Sequence, residues 1–248
     1  MKRIPALLLS GVLLLEGLTG CASKQETAAV KNFTAPEKGE ELVVIQVKDY
    51  GTIKIKVFSD LLPEACENFV THAKEGYYDE LLFHRVIENF MIQGGDPKGN
   101  GTGGESIWGG KFDGGTDPSL IHVRGAVAYA NNGGTDTDGS QFYIVTGGPV
   151  SLETLETYEE HGDGSYTKEQ KELYTTIGGA PWLDGNYTVF GQVVEGLDVA
   201  IAISEIKDKN SDNKPYTSVV MESVTVEPYD GSELHWYASG DETSNDAA

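Results

Sequence analysis

The amino-acid sequence predicts a mainly β fold, organised as a closed eight-stranded antiparallel barrel with two capping helices and a helical insertion. Short runs of β-branched and aromatic residues alternate apolar with polar and are bounded by turn residues, in a chain with 31 glycines and 9 prolines. Helical spacing of apolar residues is confined to a few short segments, too few for a bundle. A hydrophobic content of 39%, with 9% aromatic, supplies an ordinary globular core. Closing the sheet would remove the edge strands that otherwise invite aggregation.

The elements follow in chain order. Residues 1–20 carry Lys2 and Arg3 ahead of an apolar run at 4–15, the pattern of an export signal. That run is shorter than the ~20 apolar residues a membrane helix needs. The tetrad Leu18-Thr19-Gly20-Cys21 resembles the lipobox of bacterial lipoproteins, which implies cleavage before Cys21 and a diacylglycerol on its thiol. Two acyl chains make a durable anchor where one gives marginal binding, so the expected location is extracytoplasmic, at a bacterial cell membrane. Residues 21–41 are rich in Lys, Glu, Thr and Ala without apolar periodicity and read as a flexible tether.

One domain is expected over 42–227. Segments 42–48 and 52–58 flank Asp49-Tyr50-Gly51 as a hairpin, with Ile53, Ile55 and Val57 alternating with Lys54 and Lys56. Pro63 opens a helix, Glu64 and Glu67 suit its positive end, Lys74 its last turn, and Gly76 its stop. Cys66, Phe69, Val70 and Ala73 form its apolar stripe, which makes Cys66 a core thiol. Further strands are expected at 82–86, 90–94, 126–130, 141–146, 188–194 and 218–227, and the second capping helix at 196–204. The insertion occupies about 147–180. Within it Thr167 and Gln170 have capping-box spacing ahead of Leu173, Tyr174 and Ile177, and Gly178 is the stop. Residues 228–248 form an acidic C-terminal tail.

A formal charge of −21 repels phosphate backbones and argues against nucleic acid as a partner. Two cysteines, Cys21 and Cys66, cannot make a disulfide framework. The glycines at 94–95 and 101–104 lack the Lys-Ser/Thr of a phosphate loop, and the run at 99–104 matches a dinucleotide fingerprint only weakly and reads as a turn. No cluster has zinc spacing, so neither cofactor nor metal is expected.

The chemistry lies in Phe83-His84-Arg85-Val86-Ile87-Glu88-Asn89-Phe90-Met91-Ile92-Gln93-Gly94-Gly95-Asp96. Arg85, Phe90, Met91 and Gln93 fall on consecutive strand candidates, so a cationic fork and an amide could sit beside an apolar hollow. This stretch resembles the cyclophilin signature. Ala130-Asn131 with Gly139-Ser140-Gln141-Phe142-Tyr143, and Trp182-Leu183-Asp184-Gly185 with Val189-Phe190-Gly191, agree in order and spacing, as do Pro63, Glu67, Asn68 and Phe69.

The resemblance implies a cyclophilin-like barrel and a peptidyl-prolyl cis-trans isomerase acting on X-Pro bonds of exported or surface proteins. It makes Arg85 and Gln93 catalytic, the first as donor to the proline nitrogen and the second as its orienter. It assigns substrate binding to Phe90, Met91, Tyr143 and Leu183 in the socket, Trp182 at the rim, and Ala130, Asn131, Gln141 and Tyr187 around it. His84 is expected to be a satisfied core histidine. Proline-containing polypeptides are the implied partners, Trp182 suggests cyclosporin binding, and a monomer is expected. Tyr143 stands where many relatives have Phe, and Tyr187 where many have His. With the insertion, which could roof the groove, these departures favour the alternative reading, a non-catalytic proline-segment binding module or chaperone.

Overall fold

The computed structural model describes residues 29–162 and 164–234. The export signal, Cys21 and the end of the acidic tail lie outside the described residues. Alternation folds the first described strands onto each other: β1 (Glu41–Val47) pairs antiparallel with β2 (Gly51–Val57), setting Val43 against Ile55 and Ile45 against Ile53. All four of those side chains are fully buried.

Helix α1 (Pro63–Lys74) follows, started by Pro63 and turned so that Ala65, Cys66, Phe69 and Ala73 are inside. Strands β3 (Arg85–Ile87), β4 (Met91–Gly94), β5 (Ala126–Tyr129) and β6 (Phe142–Val145) come next. Helices α2 (Leu152–His161) and α3 (Lys168–Thr176) fill the insertion. Then come a 3₁₀ turn (Pro181–Leu183), β7 (Val189–Glu195), α4 (Leu197–Ser204) and β8 (Met221–Pro228). Every paired neighbour is antiparallel, in the order β3-β4-β6-β5-β7-β2-β1-β8.

The expected closed barrel is corrected to a curled eight-stranded sheet, because β3 and β8 do not pair as strands. The segment before β3 reaches β8 instead, through the Leu82–Val220 bridge and the bonds Phe83 N to Val219 O (2.9 Å) and Met221 N to Leu81 O (2.8 Å). Strand β3 accordingly begins at Arg85 and not at residue 82.

The core under the curled sheet is aromatic. Phe69 of α1 meets Phe142 and Phe190 at ring separations of 5.1 and 4.9 Å, and Tyr129 meets Phe190 at 4.4 Å. Cys66 belongs to this core, and burial pushes its thiol up to about 12.

A second, smaller core lies outside the sheet, where Leu155, Tyr166, Tyr174 and Ile177 of the insertion meet Ile121 and Val123. The two legs of the insertion come together at glycines. A Cβ at Gly179, whose φ is 146°, would stand 2.2 Å from the His122 carbonyl oxygen. No other residue fits there.

The expected flexible tether is corrected for residues 30–40. Val30 and Phe33 join the second core, and Asn32 between them is fully buried. The Asn32 amide donates to Ile121 O (3.0 Å) and to Gln192 (3.1 Å), and its oxygen accepts from Ile121 N (3.0 Å). Bonds Gly39 N to Tyr229 O and Tyr229 N to Glu40 O then lead into β1. A lone amide between two apolar residues has no periodicity, so composition alone misreads this segment.

Candidate active site

Register places the functional side chains. Arg85 of β3 lies opposite Gln93 of β4, Gln93 opposite Tyr143 of β6, and Tyr143 opposite Ala128 of β5. Opposed residues share a face of a sheet, and so do residues two apart on one strand. Met91 therefore joins Gln93 on that face. A hydrogen-bonded line crosses it: Arg85 Nη1 donates to Gln93 Oε1 (3.2 Å), Gln93 Nε2 to Gln141 Oε1 (3.0 Å), and Gln141 Nε2 to Gly103 O (2.8 Å). The fork of Arg85 is thereby aimed.

Beside it opens a hollow of about 190 Å³. Phe90, Met91, Ala130, Tyr143, Leu183 and Tyr187 supply its apolar lining, and Arg85, Gln93 and Asn131 its polar rim. The socket residues expected from sequence are thus brought together. Gln141 and Trp182 stand behind this lining: Gln141 supports Gln93, and the Trp182 ring lies 5.5 Å from Phe90 and 6.0 Å from Tyr158 of α2. Among the described residues, no other backbone group takes the N–H or C=O of Asn131. Its side chain meanwhile reaches Asn186 O (3.4 Å).

A second cavity of about 480 Å³ shares Gln93, Ala130 and Asn131 with the hollow and continues past Gln141 to Lys98, Gly103 and Lys111. Its wall is the glycine loop after Asp96. Burial acts to raise that carboxyl, and backbone N–H donors outweigh it, Lys98 at 2.8 Å, Asn100 at 3.0 Å and Gly101 at 2.6 Å. The net effect holds Asp96 below the usual carboxylate range. The run at 99–104 is a turn wrapped on a carboxylate.

Both tyrosines line the hollow, and the hydroxyl of Tyr143 has a partner. The Tyr143 hydroxyl turns away from the hollow to His122 Nε2 (3.0 Å), so its ring alone lines the socket. Among the described residues, none between 147 and 180 lines the hollow. His84 is buried as expected, yet among the described residues neither ring nitrogen has a hydrogen-bond partner of ordinary geometry, and burial pushes its pKa down. The expectation of a satisfied histidine is corrected to that extent.

Sequence reasoning missed His122, Tyr174 and Asp138. Asp138 is fully buried, with Oδ2 accepting from Thr188 Oγ1 (2.6 Å) and Oδ1 unpartnered among the described residues. Burial raises its carboxyl to about 7. His122 sits in no motif and on no apolar stripe, and Tyr174 reads from sequence only as an apolar position of the capped helix, so nothing local marks the polar role of either. Asp184 lies in the Trp182-Leu183-Asp184-Gly185 stretch, but its partners His122 and Tyr174 are brought to it only by the fold.

A curled antiparallel sheet presenting an aimed guanidinium beside an apolar hollow, with free backbone groups at the rim, has the parts of a peptide-binding isomerase. The model of the cyclophilin type peptidyl-prolyl cis-trans isomerase family matches residues 42–226. A Staphylococcus aureus protein named as a peptidyl-prolyl cis-trans isomerase is 43% identical over 187 residues, covering 75% of this chain and 92% of its own. A Staphylococcus epidermidis counterpart is 42% identical over the same shares. The crystal structure of a Cryptosporidium parvum cyclophilin type isomerase, determined in the presence of the dipeptide Ala-Pro, superposes with a TM-score of 0.59 at 28% identity, covering 75% of this chain and 98% of that one. The chain belongs to the cyclophilin-type peptidyl-prolyl cis-trans isomerase family and is an isomerase of X-Pro peptide bonds.

Proposed function

We propose that Arg85 is the catalytic donor of this isomerase and that it works on X-Pro bonds of proteins outside the cytoplasm. Rotation about a peptide bond costs ~18 to 20 kcal/mol because amide resonance is broken. Only interactions stronger at the twisted geometry than at the planar one accelerate it. In the twisted amide the proline nitrogen is pyramidal and carries a lone pair. A guanidinium N–H aimed at that nitrogen gains strength there and has little to bind in the ground state. The observation that carries this reading is the line Arg85–Gln93–Gln141 at the edge of the hollow.

In this reading Gln93 orients Arg85, and Gln141 holds Gln93. Phe90, Met91, Tyr143, Leu183 and Tyr187 grip the pyrrolidine ring. Asn131 and Ala130 offer backbone to the peptide, and Trp182 buttresses Phe90. Proline-containing polypeptides are the substrates, and the protein acts as a monomer that speeds the folding of exported or surface proteins. The paired Tyr143 hydroxyl, and a hollow that no described residue between 147 and 180 lines, support turnover over the binding-only module, which Tyr187 alone still favours. A chain saturated with an Ala-Pro peptide that left its exchange at the uncatalysed rate would restore that alternative.

Residues 1–20 act as the export signal and Cys21 carries the lipid that holds the domain at the membrane. The support is the basic start, the short apolar run and the lipobox-like tetrad. Cell fractionation tests it. The wild type is expected in the membrane fraction and Cys21→Ala out of it, whereas a wild type already soluble would contradict the anchor.

A further inference from the structure

The walls of the proline hollow converge on one buried imidazole that does not line it. His122 is fully buried, and its Nδ1 lies 2.8 Å from Asp184 Oδ1. A carboxylate only accepts, so Nδ1 carries the proton and donates. In the neutral ring Nε2 is then the acceptor for the Tyr143 hydroxyl, 3.0 Å away. The same Asp184 oxygen accepts the His122 backbone N–H (2.8 Å), and Oδ2 accepts the Tyr174 hydroxyl (2.6 Å). The imidazole also stands edge-on to Tyr187, with ring centroids 6.3 Å apart, and nearly parallel to Tyr143 at 6.1 Å. A polar line thus runs from α3 through Asp184 and His122 to the socket wall.

The hydroxyl of Tyr143 is what requires this line. Facing a pyrrolidine ring, a phenol O–H would be a buried donor with no acceptor, a penalty worth about tenfold in affinity. Held by His122, it leaves only ring carbon in the hollow. We propose that His122, fixed by Asp184 and Tyr174, is a positioning residue for isomerisation, which draws the Tyr143 hydroxyl out of the socket and sets the pose of both tyrosine walls. The proposal rests on the isomerase reading and gives the insertion a part in proline recognition that involves no contact with the substrate.

The test is a double-mutant cycle in kcat/KM on an Ala-Pro peptide. His122→Phe keeps a ring and removes both hydrogen bonds, and it should lower kcat/KM about tenfold, mainly through KM. Added to Tyr143→Phe, the same change should cost less than about twofold, because no hydroxyl remains to be held. A merely structural histidine would cost the same in both backgrounds, and that result overturns the proposal. ¹⁵N-histidine NMR of the unmodified protein reads the same question without relying on the folding of H122F. Saturation with the peptide should shift the His122 Nε2 resonance, and an unmoved resonance overturns the proposal. A wild type with no isomerase activity would instead overturn the reading beneath it.

Discussion

A buried carboxyl shows how far one residue can depart from its solution chemistry in this protein. Asp138 has one oxygen on Thr188 and the other unpartnered among the described residues, and burial raises it from 3.8 to about 7. Its folded-state value lies above its unfolded one, so between those values the native chain holds the proton longer than the unfolded chain. Stability therefore falls as pH climbs from about 4 to about 7 and is flat for this group beyond. Asp138→Asn removes the titration. Urea unfolding at pH 4, 6 and 8 should show the variant gaining on the wild type with rising pH, by up to about 4 kcal/mol at pH 8. A constant difference between the two would contradict the assignment. Nothing in the sequence flags this residue, because its hydrogen-bond partner Thr188 lies fifty positions away.

Elements were legible to different degrees, and the reason is local. The β1–β2 hairpin, α1 and α4 are written in alternation, Pro and Gly signals, and 3.6-residue stripes that each segment carries by itself. Helix α3 was legible through its capping box, with Thr167 Oγ1 accepting from Gln170 N (3.1 Å) and Gln170 Oε1 accepting from Thr167 N (2.9 Å). Helix α2 was not, because Leu155 is its only buried residue and one apolar contact makes no stripe. The cap carries a prediction. Thr167→Ala should cost α3 about 1 kcal/mol and speed hydrogen exchange of its amides about fivefold. Amides of β5 and β6 should not change, and equal acceleration in the sheet would contradict an independently capped helix.

At the scale of the whole molecule, the site was more legible than the closure of the fold. Arg85, Gln93, Met91 and Tyr143 share a face because antiparallel register follows directly from the pleat. Closure depends on where the ends of the sheet meet, and here a non-strand segment at 81–83 bonds to 219–221 in place of a β3–β8 ladder. The N-terminal segment misled for the related reason that Asn32 is satisfied by Ile121 and Gln192, partners remote in sequence. What the assembled molecule accomplishes is to hold a charge at the lip of an apolar hollow, aimed by two glutamines. The most direct test is exchange NMR on an Ala-Pro peptide with the wild type and Arg85→Ala, both confirmed folded. The wild type should accelerate cis-trans exchange, and the variant should lose at least about a hundredfold of that acceleration while still binding the peptide. A folded Arg85→Ala that keeps the wild-type rate would contradict the catalytic role of the fork.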